Sequence, residues 1–166
     1  LGKGGDPMVS GADKVVSISN AGDGGADDGF AVGGSYLLRP PGDVLFVTTG
    51  VMASRALDAS NILAEQGIRC GVLHMPTIKP LDEEGLFEMA AGARLLVSVE
   101  EHFLAGGFGG AVLEAMVDRG PGGMPRMLRL GMPDAFPSEY GSQDSILETA
   151  NLHPAGLASS VKRALN

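Results

Sequence analysis

The stretch Asp43-Val44-Leu45-Phe46-Val47-Thr48-Thr49-Gly50 decides the fold. Its aliphatic and β-branched residues are too apolar for an exposed edge, so they predict a strand buried on both faces. Gly50 ends this strand. A shorter strand is predicted over 35–39, and the turn residues Pro40-Pro41-Gly42 between the two runs favour an antiparallel pair.

Helix and strand patterns alternate along the rest of the chain, and each predicted strand is apolar enough to be buried. The predicted elements are, in chain order, a helix over 54–66 that ends at Gly67, a strand over 69–73, a helix capped by Asp82, a strand over 94–99, a helix opened by a glycine loop, a strand over 125–130, and two C-terminal helices that begin after Ser142 and at Pro154. We therefore expect an α/β three-layer sandwich with a mainly parallel five-stranded sheet and one antiparallel strand.

The first 29 residues differ in composition from the rest. They hold eight Gly and five Asp and only short apolar runs, so they cannot bury enough surface to offset their ordering entropy. We expect residues 1–29 to be a partly disordered linker from a missing upstream domain and 30–166 to be one globular domain. The chain begins with Leu1 and not with Met, which fits a piece of a longer protein.

Composition excludes several classes of protein. The chain has 166 residues and 12 Lys plus Arg against 20 Asp plus Glu, a formal charge of −8, which argues against nucleic acids and anionic membranes as partners. The single cysteine, Cys70, excludes a disulfide framework and fits a reducing, cytoplasmic compartment. The longest uncharged apolar stretch, Val44 to Ala53, is far shorter than a membrane span.

Two neighbouring segments are the candidate sites. Glu100-Glu101-His102 follows a predicted parallel strand, at the edge where α/β sheets place ligands, but consecutive side chains point in different directions. The loop Gly106-Gly107-Phe108-Gly109-Gly110 opens a helix, so its amides, together with Gly50, could bind an anion; close packing of the loop also requires glycine. An interface with another domain is the alternative use of both segments.

No complete catalytic or metal-binding set is present in the sequence. His74 and His153 have no second ligand at metal spacing, and Cys70 lies in an apolar strand, so all three are predicted to be structural. The loop over 134–140 carries the aromatic residues Phe136 and Tyr140, whose simplest use is contact with a partner surface.

Four segments in one order resemble the C-terminal domain of the transketolase family. They are 43–50, Ile78-Lys79-Pro80-Leu81-Asp82, Val97-Ser98-Val99-Glu100-Glu101-His102 and Gly106-Gly107-Phe108-Gly109. The family includes transketolases, deoxyxylulose-phosphate synthases and the β subunits of 2-oxoacid dehydrogenase E1 components. The tail from Gly141 to Leu152 is most similar to the transketolase and synthase branches.

The resemblance implies thiamine diphosphate and Mg²⁺ in the full-length enzyme, held by upstream pyrimidine- and diphosphate-binding domains and not by this chain. It implies an accessory domain that packs beside those domains, helps a homodimer and is inactive alone, within a transketolase-like transferase. Two alternatives stay open. One is the C-terminal domain of a 2-oxoacid dehydrogenase β subunit, and the other is a free-standing module that binds an anion or nucleotide.

Overall fold

A computed structural model describes residues 16–17, 31–120, 122, 124–135 and 141–166. The strands are β1 (Val16–Ser17), β2 (Tyr36–Arg39), β3 (Val44–Thr48), β4 (Cys70–His74), β5 (Leu95–Phe103) and β6 (Arg126–Met132). The helices are α1 (Met52–Ala64), α2 (Glu83–Ala90), α3 (Phe108–Arg119), α4 (Gln143–Thr149) and α5 (Pro154–Leu165).

Within these residues, one sheet has the strand order β1-β2-β4-β3-β5-β6. Strands β4, β3, β5 and β6 run parallel to one another, and β2 runs antiparallel to β4. The five strands β2 to β6 therefore confirm the predicted mainly parallel sheet with one antiparallel strand. The short strand β1 pairs antiparallel with β2 and extends the sheet by one strand.

Helices cover both faces of the sheet and give three layers. On one face, α1, α4 and α5 pack on β3 and β5 through a cluster centred on Phe46 and Leu157. On the other face, α2 and α3 pack through a second cluster that contains Leu45 and Phe108. All five residues of β3 are buried because this strand supplies side chains to both clusters.

The predicted antiparallel pairing of the first two strands is wrong. β2 pairs with β4, and β3 lies between β4 and β5. The linking residues therefore do not form a hairpin turn but cross the beginning of β4. A Cβ added at Gly71 would lie 2.7 Å from Pro41 Cα, so this crossing requires glycine in β4. The sheet order follows from burial, since the wholly buried β3 belongs in the centre and the half-buried β2 near an edge.

The other predicted elements form, with shifts of a few residues at their ends. Helix α1 begins at Met52, two residues before the predicted start, and β5 continues to Phe103, four residues past the predicted end. Ser142 accepts a hydrogen bond from the Ser145 amide at 3.2 Å and Pro154 opens α5, as predicted. Of the predicted linker, only Val16–Ser17 lies within the described residues. No helix in the described part of the chain is long and apolar enough to cross a bilayer.

Asp82 joins the start of α2 to the segment before β2. One carboxylate oxygen accepts a hydrogen bond from the Gly85 amide at 3.1 Å, and the other accepts one from the Ser35 hydroxyl at 2.5 Å. Both Asp82 and Ser35 are buried, so neither group can replace its partner with water. The predicted helix cap therefore also anchors a distant part of the chain.

We expect Asp82→Ala to lower the free energy of unfolding by about 2 kcal/mol, because the helix loses its cap and the Ser35 hydroxyl loses its acceptor. Urea denaturation measures this change. The control is Glu88→Ala, an exposed position in the same helix. Equal stability of the Asp82 and Glu88 variants would contradict this assignment.

Candidate functional site

The candidate residues lie at the carboxyl edge of the sheet, where the chain changes direction. After β3 the chain moves to β4 on one side, and β5 lies on the other side of β3. A sheet of this type places ligands outside the carboxyl ends of the two strands at this switch point. In this sheet, the expected ligand position lies between Gly50, which follows β3, and Glu100-Glu101-His102, near the carboxyl end of β5.

The carboxylate of Glu100 lies against the first turn of α3. Its side chain is fully buried, and its two carboxylate oxygens accept hydrogen bonds from the amides of Phe108 at 2.6 Å and Gly109 at 2.8 Å. These amides belong to the first turn of α3, which has no acceptor of its own for them. A carboxylate is also stabilised at this end of a helix by the helix dipole. Glu100 is therefore an internal anion bound at the helix start.

Three glycines provide the space for this carboxylate. A Cβ added at Gly107 would lie 2.1 Å from Glu100 Oε2, and one added at Gly109 would lie 3.0 Å from Oε1. On the other side, a Cβ at Gly131 of β6 would lie 2.9 Å from Glu100 Cγ. Real Cβ atoms almost never approach another atom closer than 3.0 Å, and a contact of 3.0 Å is itself unusually tight, so the glycine loop and Gly131 pack closely around Glu100.

Arg129 of β6 holds the same loop from the neighbouring strand. Its guanidinium donates a hydrogen bond to the Leu104 carbonyl. Ser98, its partner in the register of β5 and β6, lies beside it under Gly109. Within the described residues, Ser98 Oγ and Arg129 Nε have no hydrogen-bond partner. The loop is thus held by Glu100 of β5 and by Arg129 of β6.

The side chains of Glu100, Glu101 and His102 do not converge on one atom. Glu101 turns away from α3, and its carboxylate accepts a hydrogen bond from Gln143 of α4 at 2.5 Å. His102 Nδ1 lies 3.7 Å from Glu100 Oε2, and the His102 side chain is half exposed. Glu100 and His102 therefore lie within ion-pair distance of each other, whereas Glu101 is directed to α4.

Several candidate interface residues differ in accessibility. Gly106 and His102 are exposed, and Gly110 has open space around it, but Phe108 is fully buried in the core beneath α3. Phe136 and Tyr140 lie outside the described residues. Of the candidates on β5 and the loop after it, His102, Gly106 and Gly110 are accessible to a partner, whereas Phe108 is not.

Phe103 is an exposed aromatic residue that the sequence analysis did not single out. It ends β5 opposite Met132 of β6 and is 51% exposed. The prediction ended this strand at Val99 and so assigned no face to Phe103. An aromatic residue directly after three polar ones at a strand end was the available signal. Its backbone is held in place because Glu100 and Arg129 fix the loop that follows.

The other titratable candidates lie in structural surroundings. His74 is buried at the end of β4 with Nδ1 3.3 Å from the Thr48 hydroxyl, and burial lowers the pKa of this imidazole. Burial raises the pKa of the Cys70 thiol to about 12, which keeps it protonated at neutral pH. In the part of the chain that is described, no three His, Cys, Asp or Glu side chains lie together in a group that could hold a metal ion.

The site offers little to a diphosphate cofactor or a free phosphate. The amides of Phe108 and Gly109 already bind Glu100, and the buried carboxylate would repel a second anion in the same place. The described residues therefore do not fit the thiamine diphosphate and Mg²⁺ that the sequence resemblance implies for a complete enzyme. What the geometry does offer is a rigid loop that presents His102 and Phe103.

Comparison with known proteins identifies the family. The model of the family "Transketolase, C-terminal domain" matches residues 33–157, and the chain belongs to this family. It is 37% identical over 134 residues to 1-deoxy-D-xylulose-5-phosphate synthase 1 of Geobacter sulfurreducens, which is 81% of this chain and 21% of that protein. It is 41% identical over 128 residues to the 1-deoxy-D-xylulose-5-phosphate synthase of Thermomicrobium roseum, which is 77% of this chain and 20% of that protein.

Solved structures agree with the family assignment. A split gene transketolase, an inactive beta4 tetramer, superposes with a TM-score of 0.73 at 32% identity over 82% of this chain and 43% of that chain. Transketolase of Pichia stipitis superposes with a TM-score of 0.59 at 24% identity, which supports the fold alone. The chain spans about a fifth of the length of the curated synthases it matches.

We expect Glu100→Gln to lower the free energy of unfolding by about 2 kcal/mol. The amide group of glutamine directs N–H donors at one of the two backbone N–H groups that the carboxylate accepts from, so that donor loses its acceptor. Glu101→Gln is the matched control, because it makes the same chemical change one residue along at a partly exposed side chain. Urea denaturation of both variants should separate them by more than about 1 kcal/mol, and equal values would refute the role of Glu100.

Two glycine substitutions in the same loop should have opposite effects. Gly107→Ala places a Cβ within 2.3 Å of the Phe103 carbonyl oxygen and within 2.1 Å of Glu100 Oε2, so we expect a loss of at least about 2 kcal/mol. Gly110→Ala meets no atom within 4 Å inside α3 and should stabilise the chain by roughly 0.5 kcal/mol. Thermal and urea unfolding measure both; a neutral Gly107→Ala would show that the carboxylate is not enclosed.

Proposed function

We propose that this chain is the C-terminal accessory domain of a thiamine-diphosphate-dependent, transketolase-like transferase and is inactive alone. The observation that carries the proposal is the family match over residues 33–157, together with an alignment that covers only 21% of the Geobacter sulfurreducens synthase. The enzyme's upstream pyrimidine- and diphosphate-binding domains would hold the cofactor and Mg²⁺. The domain would pack beside them, assist a homodimer and act in the cytoplasm.

The chemistry of the carboxyl edge supports an accessory role. In α/β sheets this edge is the usual place of a ligand, yet here a side chain of the protein itself fills the anion position at the start of α3. Glu101 is directed to Gln143 of α4, and the Glu100 carboxylate, although 3.7 Å from His102 Nδ1, already accepts hydrogen bonds from two backbone amides, which argues against an acid–base pair at this edge. The same filling of the anion position argues against the free-standing anion- or nucleotide-binding module.

The names of the relatives favour one branch of the family. The two most informative sequence relatives are 1-deoxy-D-xylulose-5-phosphate synthases, and the solved structure with 32% identity is a split gene transketolase. These names support the proposal that the complete enzyme belongs to the synthase and transketolase branch and not to the 2-oxoacid dehydrogenase β subunits.

The surface that would contact the upstream domains is the outer side of the β5–α3 loop. Phe103 and His102 are exposed there, and Gly106 takes a left-handed conformation with φ of +73° at the tip. An aromatic side chain on a rigid support is a typical anchor of an interface. Covering the exposed half of Phe103 would contribute about 2 kcal/mol. Phe136 and Tyr140, which follow β6 in the sequence and lie outside the described residues, are proposed as further contacts with the same domains.

A calorimetric titration of the 166-residue chain with thiamine diphosphate and Mg²⁺ tests the assignment of the cofactor to other domains. We expect no heat of binding, because the amides at the start of α3 are occupied by Glu100. Stoichiometric binding with micromolar affinity would contradict the proposal. In that case Glu100→Gln would show whether the glycine loop is the site.

A chimera tests the accessory role itself. The aligned segment of this chain replaces its counterpart in the Geobacter sulfurreducens synthase, and we expect the chimera to keep synthase activity. Phe103→Ser should leave the unfolding temperature of the isolated chain within about 1 °C but lower that of the chimera by several degrees. Val32→Ser, at a side chain 80% exposed, is the control. An inactive but folded chimera, or equal effects of both variants, would contradict the proposal.

A further inference from the structure

Arginines mark the amino edge of the sheet, where the parallel strands begin, opposite the edge that carries the β5–α3 loop. Arg69 directly precedes β4, Arg94 directly precedes β5, and Arg126 is the first residue of β6. Arg39 ends β2, which runs antiparallel to β4, so it lies towards the start of β4. We name these four residues the arginine row, because they follow one another in the order of the strands.

One carboxylate interrupts the arginine row. Asp43 directly precedes β3, the strand between β4 and β5, and therefore lies between Arg69 and Arg94. The Arg69 guanidinium donates a hydrogen bond to Asp43 Oδ2 at 3.3 Å, which lowers the pKa of the Asp43 carboxyl, and the charge of Arg94 acts in the same direction. Asp43 thus stays ionised at neutral pH and balances one of the four guanidinium charges. The row keeps an excess of positive charge in a chain whose formal net charge is −8.

The arginine row has hydrogen-bond donors that the chain itself does not use. The Arg69 side chain is 79% exposed, and Arg94 is exposed and, within the described residues, makes no side-chain hydrogen bond or ion pair. Arg39 donates one hydrogen bond to α1, and Arg126 donates one to the last turn of α5. A guanidinium carries five N–H donors, so the central pair of the row is free to bind an anion and the outer pair is partly so.

The shape of the arginine row fits an extended anion better than a compact one. Its members belong to strands on both sides of β3, and neighbouring strands lie about 4.8 Å apart, so the row spans about 19 Å from β2 to β6. A single phosphate requires donors that converge on one point, and Asp43 occupies the middle of this row. An extended peptide advances about 3.3 Å per residue, so roughly six residues cover the same distance.

The surroundings of the row favour an acidic peptide over a single-stranded nucleic acid. Nucleic acids of this kind are bound by aromatic side chains as well as by cations. The one large exposed aromatic side chain in the described residues is Phe103, which lies at the opposite edge of the sheet. The net charge of −8 also opposes a polyanion that extends beyond the row. Arginine, by contrast, binds carboxylates through two parallel hydrogen bonds.

We propose that the arginine row is a docking site for an acidic segment of another protein, bound in an extended conformation with Arg69 and Arg94 as its central contacts. Carboxylates of the segment would bind the guanidinium groups on both sides of Asp43. The inference goes beyond the proposed function, because the row lies at the edge opposite the β5–α3 loop. A neighbouring domain at that loop and an acidic segment at the row would therefore not compete for the same surface.

A peptide titration followed by amide NMR spectra of the 166-residue chain tests the site. The probe is a blocked peptide of six glutamates in about 50 mM salt, and the same peptide made of glutamines is the control. We expect saturable shifts at Arg69, Arg94 and their neighbours with a dissociation constant below about 1 mM, because several charge-assisted contacts form together. Added salt should weaken the binding, since the contacts lie at the surface.

Three variants separate the row from general electrostatic attraction. Arg94→Glu should weaken the binding roughly tenfold, because it reverses a central charge, and its unfolding temperature should stay near that of the wild type because the side chain makes no hydrogen bond. Asp43→Asn should strengthen the binding, because it removes the carboxylate that competes for Arg69. Lys79→Glu, an exposed charge reversal in the connection after β4, should leave the affinity unchanged.

Each result decides for or against the docking site. Shifts at the row that Arg94→Glu abolishes and Asp43→Asn strengthens support it. The site is overturned if the glutamate peptide does not bind at millimolar concentration, if the shifts lie elsewhere, or if Arg94→Glu and Lys79→Glu have equal effects. Equally tight binding of inorganic phosphate or of an oligonucleotide of six thymidines also overturns it. The synthase chimera should keep its activity with Arg94→Glu, so the accessory role and the docking site can fail independently.

Discussion

The buried carboxylate of Glu100 is the interaction on which the carboxyl edge of this domain depends. It joins the end of β5 to the start of α3 through two backbone amides and is enclosed by glycines from the loop and from β6. The helix could not start at this point without an acceptor for those amides, because its first turn has none. Because Glu100 accepts from both amides, neither amide is free to bind an external anion.

A second constraint is the full burial of β3. Because both of its faces contact helices, it must lie in the centre of the sheet, and the chain leaving β2 must cross β4 to reach it. Gly71 and Gly42 make that crossing possible: a Cβ at Gly42 would lie 2.4 Å from the Arg69 carbonyl oxygen. The two glycines are thus as necessary to the sheet order as the apolar residues of β3.

With Glu100 enclosed, the accessible part of the candidate site is the outer side of the β5–α3 loop. Glu100 lies inside the carboxyl edge and Arg129 holds the loop above it, so the exposed Phe103 stands on a loop that is fixed from β5 and from β6. In the accessory role proposed above for this member of the transketolase C-terminal family, that outer side would contact a neighbouring domain of the same enzyme.

Sequence alone determined the class of fold, the positions of the helices and most strands, the caps at Asp82 and Ser142, and the family, because these depend on local periodicity, capping residues and ordered motifs. Only the tertiary structure decided that β2 lies beside β4, that Glu100 binds the start of α3, and that Phe103 is exposed while Phe108 is buried. Periodicity reports whether a residue is buried but not which strand is its neighbour. Contacts such as that between Arg129 and Leu104 join residues whose proximity arises only once the sheet order is set.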